Sequence, residues 1–292
     1  MTFHGYGLLQ RPPVGAALDW TQPITEGLAA AAMFNEGVSR AASTTIVNES
    51  VSRQHAAVVA GSAATLGVTG FVQDEAHDAG GTPVGFPRSP FLPNDLSFFA
   101  LVNLQVSTIT LSDVYRAVIA RGSVFDNATN FVFGFRPCVA STAVERLFLY
   151  QRDGGGVLGG AEGAASQQTT LVNVFRTIGA TWIGATIKLY RNGQVVETIT
   201  GNTKNGTDGG QALTFGGPTS FTSTDRNFAG ITSAAYVWRR GLSDAEMAEL
   251  GADPYIVFRP PAVRRVFFEF VAPTGTRVPY QPQYSLAPVL AQ

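Results

Sequence analysis

Acid–base chemistry by carboxylates needs two of them at short spacing, one to attack or activate water and the other to donate a proton. Among the 21 Asp and Glu of the chain, only Asp244 and Glu246 stand two residues apart. They follow Ser243, and a Ser three residues before a Glu is the spacing at which the hydroxyl caps one backbone N–H and the carboxylate returns to another. Both acids also suit the positive end of a helix dipole. The pair therefore reads as a helix cap. His4, His55 and His77 are widely separated and belong to no Ser or Cys nucleophile motif. Asp74, Glu75, His77 and Asp78 come together on a stretch rich in Gly and Pro, where they read as solvated loop charge, with a metal site as the alternative. Cys138 is the single cysteine, so the chain has no internal disulfide and no cysteine-based zinc spacing. Within the apolar run 131–140 it reads as a small buried hydrophobe. The glycine-rich run 154–166 is not followed by the Gly-Lys-Ser/Thr of a phosphate loop, and no dinucleotide fingerprint occurs.

Composition narrows the frame that must hold these residues. The 292 residues are 45% hydrophobic and only 14% charged, and 32 glycines fill intervals between apolar runs. That is the composition of many short strands joined by many turns, with enough apolar surface for a substantial core. A net charge of −1 gives no overall field to recruit nucleic acid or anionic lipid, so neither is expected as a partner. Of the 20 basic residues only Lys188 and Lys204 are lysines, which favours bidentate contacts over diffuse charge. The opening MTFHGYGLLQRPP lacks the apolar region of a signal peptide, and the patch 28–34 is too short to cross a bilayer. The expectation is a chain made in a cytoplasm, with no membrane partner.

Taken in order, residues 1–27 carry several prolines and glycines without a period and read as an extended arm. Short β-branched runs follow at 45–47, 57–59 and 66–68, and then 73–95 reads as one long surface loop. Strands are expected at 96–105, 115–121, 130–140 and 145–151, a flexible loop over 154–166, and a strand at 175–182. IKLY, Arg191-Asn192-Gly193 and QVVETI make the clearest local signal, a β-hairpin over 187–199, because Asn-Gly tolerates the positive φ angles of a type I′ turn. A strand is expected at 212–217. In the strand that ends at Trp238, Ile231, Ser233, Ala235 and Val237 alternate with Thr232, Ala234, Tyr236 and Trp238, one set to each side. A short helix led by Ser243 can bury Leu242, Met247 and Leu250 before Gly251 and Asp253-Pro254 stop it. The run 263–271 could add a strand. Pro273 to Gln292 carries four prolines and no period, which reads as a second arm.

A closing strand followed by Leu242-Ser243-Asp244-Ala245-Glu246-Met247-Ala248-Glu249-Leu250 resembles the C-terminal signature of laminin-G-like domains, members of the concanavalin A-like lectin/glucanase group. Tyr190-Arg191-Asn192-Gly193-Gln194 is similar to that family's Tyr-x-Asn-Gly hairpin. Asp19-Trp20-Thr21-Gln22-Pro23 with Met33-Phe34-Asn35-Glu36-Gly37, and Pro254-Tyr255-Ile256-Val257-Phe258-Arg259-Pro260, resemble the opening and ending of laminin-G-like chains of tailed bacteriophages. The resemblance implies an all-β fold, a two-sheet antiparallel jelly-roll sandwich with one short C-terminal helix and extended terminal arms. It divides the chain into an arm at 1–17, a jelly-roll domain at 18–260 and an arm at 261–292. Two departures stand out: the insert 74–93 is long, and no His follows Trp182 where the family has a Trp-His pair.

The resemblance also implies sites. Relatives hold calcium at a loop rim through Asp side chains and backbone carbonyls, and Asp126, Asn127, Asp208 and Asp225 are the oxygen donors available here, each with a plain turn role as the alternative. Tyr236 and Trp238 would stack on sugar rings as aromatic residues of relatives do, unless that sheet face is packed under a loop or neighbour. Glu36 reads as a turn carboxylate, with a ligand to a glycan or an ion as the alternative. Retaining glucanases of this fold carry Glu-x-Asp-x-x-Glu on one strand, and the chain has no such run. The expected function is accordingly a non-enzymatic structural protein of a bacteriophage virion, a capsid decoration, fibre or tail component. It would be laced to other virion proteins through the two arms, form a homo-oligomer, and contact host surface glycans. The alternatives are a dedicated carbohydrate-binding lectin module and a glycan-cleaving enzyme. Collagen repeats and heptads are absent, which favours a compact component over a fibrous shaft.

Overall fold

The structure, a computed structural model, describes Pro12 and residues 16–34, 40–41, 57–58, 65–67, 70–73, 84–86, 95–104, 115–121, 131–137, 145–153, 156–163, 174–202, 213–217, 225–228 and 230–258. A short 3-10 turn, Pro23–Thr25, leads into the strands. These are β1 Leu28–Met33, β2 Arg40–Ala41, β3 Ala57–Val58, β4 Thr65–Gly67, β5 Gly70–Gln73, β6 Val84–Phe86, β7 Leu96–Leu104, β8 Tyr115–Arg121 and β9 Phe131–Pro137. β10 Glu145–Asp153, β11 Gly156–Glu162, β12 Phe175–Ile183, β13 Thr186–Arg191, β14 Gln194–Ile199, β15 Leu213–Phe215, β16 Asp225–Asn227 and β17 Gly230–Trp238 follow, and one helix, α1 Asp244–Ala252, comes last.

The strands form two sheets. The first runs β14-β13-β12-β7-β17-β5-β4-β2, with β1 beside the second half of β17, and the second runs β11-β10-β9-β8-β15-β6-β3, with β16 along the start of β8. Every pairing is antiparallel except β16 with β8. This is the expected all-β sandwich with one short C-terminal helix. Its centre is β7, buried along its whole length between β12 and β17. The inward row of β7, Phe98, Ala100 and Val102, meets Phe131, Phe133 and Phe135 of β9 and Leu147 and Leu149 of β10 in one apolar core. Phe98 lies 4.6 Å from Phe131 and 6.0 Å from Phe133 between ring centroids, so aromatic packing joins the sheets at their middle.

A second apolar layer covers the other face of the first sheet. Phe99 and Leu101 of β7, Tyr190 of β13 and Ala234, Tyr236 and Trp238 of β17 pack beneath Leu242, just before the helix, Met247 and Leu250 within it, and Ile24, Tyr255, Val257 and Phe258. The capping box forms as the spacing predicts: the Ser243 hydroxyl accepts from Glu246 N at 3.2 Å, and Ser243 N donates to Glu246 Oε2 at 2.8 Å. The hairpin also forms, with Asn192 at φ 49° and Gly193 at φ 75°, both in the left-handed region a type I′ turn requires. Close approach explains why the helix lies against that hairpin. A Cβ on Gly193 would stand 2.9 Å from Ala248 Cα, and one on Gly179 would run into the Met247 side chain.

Three expectations are corrected. The single alternation along β17 is broken by a register shift between Thr232 and Ala234. Ile231, opposite Asn103, thereby joins the outward row with Ala234, Tyr236 and Trp238, while Thr232, opposite Val102, points into the core with Ala235 and Val237. One extra residue at Ser233 is enough to exchange the two faces. The glycine-rich run read as a loop over 154–166 contains β11, which pairs with β10, and the run read as loop over 73–95 contains β6, which pairs with β3 and β15. Within 1–27, Leu18 forms an antiparallel bridge with Phe258, and the Asp19 N–H donates to the Val257 carbonyl at 2.8 Å.

Candidate functional site

The residues expected to meet a sugar are the ones the fold hides. Tyr236 and Trp238 are both 0% exposed. The Tyr236 hydroxyl donates to the Pro254 carbonyl at 2.9 Å, and the Trp238 indole N–H donates to the Ile24 carbonyl at 2.7 Å. Tyr236 is stacked on Phe99 at 5.8 Å and meets Trp238 edge-on at 5.8 Å. Burial, with Tyr255 and Asp253 nearby, pushes its phenol well above the ordinary range. Neither ring has a face or a polar group to offer a ligand, and the role their positions give them is to anchor the layer over the first sheet. Glu36, Asp126, Asn127 and Asp208 lie outside the described residues, as do His4, His55, His77, Asp74, Glu75, Asp78 and Cys138. Asp225 is described as backbone only, opposite Tyr115 at the start of β16. Among the described residues, no three or more His, Cys, Asp or Glu converge in a way that could hold a metal ion.

The closest carboxylate pair is engaged in fastening the helix. Asp244 accepts from Lys188 Nζ at 2.7 and 2.8 Å and from the Tyr190 hydroxyl at 2.7 Å. The Lys188 hydrogen bond, then that of Tyr190, holds its carboxyl below the usual carboxylate value. Burial pushes the Tyr190 phenol up. Glu246 closes the capping box and accepts from two guanidinium nitrogens of Arg240. Burial works to raise its carboxyl, but the hydrogen bonds from Arg240 and Ser243 outweigh it and hold the group low. Arg240 Nε also donates to the Glu26 carbonyl at 2.7 Å, so one side chain ties the helix to the segment before β1. A pair held ionised and saturated in this way lacks the raised pKa that a proton donor needs.

A row of aromatic and cationic side chains, part buried and part exposed, lies on the outer face of the second sheet. Along β10, Leu147 and Leu149 point into the core, which turns Arg146, Phe148 and Tyr150 outward. Arg146 stands directly opposite Arg136 of β9, Phe148 opposite Gly134, and Tyr150 opposite Val132. Phe148 is buried with Ala117, Ala120 and Val132, and its ring lies 5.4 Å from that of Tyr150. On the other side Tyr150 is opposite Gly160, where any Cβ would run into the Tyr150 ring. Arg136, Arg146 and Tyr150 are each half-buried. The planar fork of a guanidinium group matches the geometry of carboxylate, sulfate or phosphate oxygens. The row sets a tyrosine ring and two guanidinium groups on one face of β9 and β10. Its sequence signal is the alternation Arg-Leu-Phe-Leu-Tyr at 146–150, visible without the structure and not singled out by the reading of motifs. Among the described residues, the exposed aromatic side chain is Trp20, 55% exposed in the turn before β1.

Comparison with known proteins agrees with this architecture. The sequence profile described as the concanavalin A-like lectin/glucanases superfamily matches residues 78–248. Comparison with curated protein sequences finds no match. Among solved structures, a Trypanosoma rangeli sialidase in complex with the inhibitor DANA superposes with a TM-score of 0.52 at 15% identity, over 87% of this chain and 37% of that one. Domain 4 of an extracellular GH43 arabinanase from Geobacillus stearothermophilus, in complex with arabinotriose, gives 0.47 at 13% identity, over 77% of this chain and 98% of that one. The CBM40 of a Ruminococcus gnavus IT-sialidase, bound to α2,3 sialyllactose, gives 0.44 at 17% identity, over 59% of this chain and 92% of that one. The chain thus spans little more than a third of the sialidase, and the likeness to it is one of fold. Two antiparallel sheets closed by a capped helix, with the family profile running from the strand-rich middle of the chain into that helix, place the chain in one group: it belongs to the concanavalin A-like lectin/glucanases superfamily.

Proposed function

We propose that this chain is a non-enzymatic carbohydrate-binding module of the lectin kind and that it takes acidic saccharides on the outer face of its second sheet. One observation carries the reading: Arg136 and Arg146 oppose each other across β9 and β10 with Tyr150, half-buried, on the same face. A pyranose offers an apolar face to a tyrosine ring, and a carboxylate or sulfate on that sugar matches the paired guanidinium forks. The near-neutral net charge of −1 makes such recognition local rather than field-driven. The glycan-cleaving alternative loses its nearest carboxylate pair to the Lys188, Tyr190 and Arg240 contacts.

The test is binding of the full chain to an array of neutral, uronate-bearing, sialylated and sulfated glycans, followed by calorimetry on the best ligand. Acidic glycans should bind, and R136A/R146A should weaken them at least about 10-fold, because a hydrogen bond to a charged group contributes roughly 1.5–3 kcal/mol. Binding confined to neutral glycans, or none at all, overturns the reading.

A second reading, a structural component of a bacteriophage particle held to its neighbours by both terminal segments, follows from the sequence likeness to phage laminin-G-like chains. The Leu18–Phe258 bridge favours it, since it brings residues 18 and 258, next to the two terminal segments in sequence, to adjacent points of the sandwich. Limited proteolysis with a solution mass checks it: a monomer that keeps residues 18–260 and loses both ends fits that reading, and a closed oligomer resistant at both ends does not.

A further inference from the structure

The turn before β1 holds a tryptophan out of the protein, and the way it is held points to a ligand. Trp20 is 55% exposed, whereas Trp182 and Trp238 are 1% and 0% exposed. Its turn is fixed by hydrogen bonds on every side. The Asp19 carboxylate accepts from Thr21 N at 3.1 Å, from the Thr21 hydroxyl at 2.6 Å and from Gln22 Nε2 at 3.4 Å. Asp19 N is bonded to the Val257 carbonyl at 2.8 Å, and the Thr25 hydroxyl donates to the Gln22 carbonyl at 2.7 Å. Pro23 then fixes the start of the 3-10 turn, and the Arg240 guanidinium donates to the Pro23 and Glu26 carbonyls. An apolar layer built on Leu18, Ile24 and Leu28 lies directly beneath. A large ring on a rigid turn beside an apolar layer could have been folded into it, and it is not.

We infer that Trp20 is a stacking platform for the apolar face of a sugar ring, a second saccharide contact separate from the arginine row. This inference rests on the lectin-type reading proposed above. The surroundings of Trp20 choose a saccharide over an apolar protein surface. Among the described residues of this segment, polar Thr21 and Glu26 are exposed and Gln22 is half-buried, beside the small exposed Ala17 and Pro23, so the exposed neighbours are mixed rather than broadly apolar. The Thr21 hydroxyl sends its proton to Asp19 and keeps its lone pairs, and Gln22 keeps its amide oxygen. One aromatic face rimmed by short hydrogen-bonding groups is the complement of a pyranose, apolar on its C–H face and ringed by hydroxyls. The rigid turn also removes the ordering cost that a mobile platform would carry. Trp20 sits in the turn between Leu18 and Ile24, which belong to the layer over the first sheet, whereas the arginines lie on the outer face of the second. One chain thus offers two faces to a polysaccharide, and a repeating glycan can engage both with gain in avidity.

The experiment is iodide quenching of tryptophan fluorescence in the full chain, with and without the array-selected oligosaccharide, run beside affinity measurements on W20A, W20F and R136A/R146A. Iodide should reach Trp20 alone among the three tryptophans, and bound saccharide should shield it. W20A should weaken binding about 10-fold or more, by the apolar area that stacking removes from water, and W20F should retain most of it. If the wild-type chain binds saccharide but W20A binds equally and iodide quenching is unchanged, the platform is overturned while the lectin-type reading stands. If the wild-type chain binds nothing on the array, the lectin-type reading fails and the platform with it.

Discussion

Replacing Trp238 by Phe separates a core role from a ligand role. The side chain is fully buried and its indole N–H donates to the Ile24 carbonyl at 2.7 Å, in a layer where Tyr236 meets it edge-on. W238F removes that donor and leaves a buried carbonyl without it, a loss of about 1–3 kcal/mol. The missing part of the ring leaves a void whose cost is of order 1–2 kcal/mol. The sum is about 3 kcal/mol, which for a domain of this size lowers the unfolding temperature by roughly 6–12 °C. Urea denaturation followed by circular dichroism gives the stability, and calorimetry with the array-selected glycan gives the affinity on the same preparations. The structure requires a large loss of stability and an affinity, measured well below the new transition, that is unchanged. A variant as stable as the parent with weakened glycan binding would refute this packing argument and return the ring to the ligand.

Two further perturbations probe how the helix is held. Gly193 and Gly184 both have positive φ, at 75° and 53°, but a Cβ meets Ala248 at the first and open space at the second. G184A should therefore lose only the conformational term, about 1 kcal/mol, while G193A loses that and more as α1 is pushed off the hairpin, roughly 2–4 kcal/mol in all; equal losses by urea denaturation would contradict the docking geometry. Asp244 is the pH-dependent member: its folded pKa is depressed, so its contribution is complete above the ordinary value of 3.8 and fades as pH falls through the lowered folded value. Because its side chain is 56% exposed, screening limits the effect to about 1 kcal/mol or less. D244N should thus lose less stability than the parent between about pH 6 and about pH 3, and identical slopes for the two would remove the clasp from the account.

The elements with a self-contained local code were legible. Asn192-Gly193 fixed the hairpin, Ser243 with Glu246 fixed the helix start, and β8 begins and ends where Tyr115 and Arg121 were read. Those signals act over a few residues and need no partner. What failed needs one. β11 is a run of Gly, Val, Leu and Ala with little strand propensity of its own, and it is a strand because the edge of β10 is there to pair with and Tyr150 needs the space over Gly160. β6, three residues long inside a stretch of prolines and charges, exists through pairing with β3 and β15 on either side. The bulge at Ser233 has no residue signature, yet it reassigns Ile231 and Thr232 to opposite faces.

The misreading of Tyr236 and Trp238 has a deeper cause, and the same cause directs where a ligand can go. Period-two alternation separates the two faces of a strand but is silent on whether the second face meets water or a further layer. In β7 and β17 both faces are apolar, since Phe99 and Leu101 are as buried as Phe98 and Ala100. That double burial is the mark of a roofed sheet, and the roof is α1 with the segment through Phe258. The outward row of β10 is mixed: Phe148 is fully buried, whereas Arg146 and Tyr150 on either side of it stay partly exposed, and Arg146 stands across from Arg136. With the outer side of the first sheet closed by α1, the proposed saccharide contacts fall on the second sheet and on the turn before β1. Those are the places where Arg136, Arg146 and Tyr150 on one side, and Trp20 on the other, remain in reach of solvent.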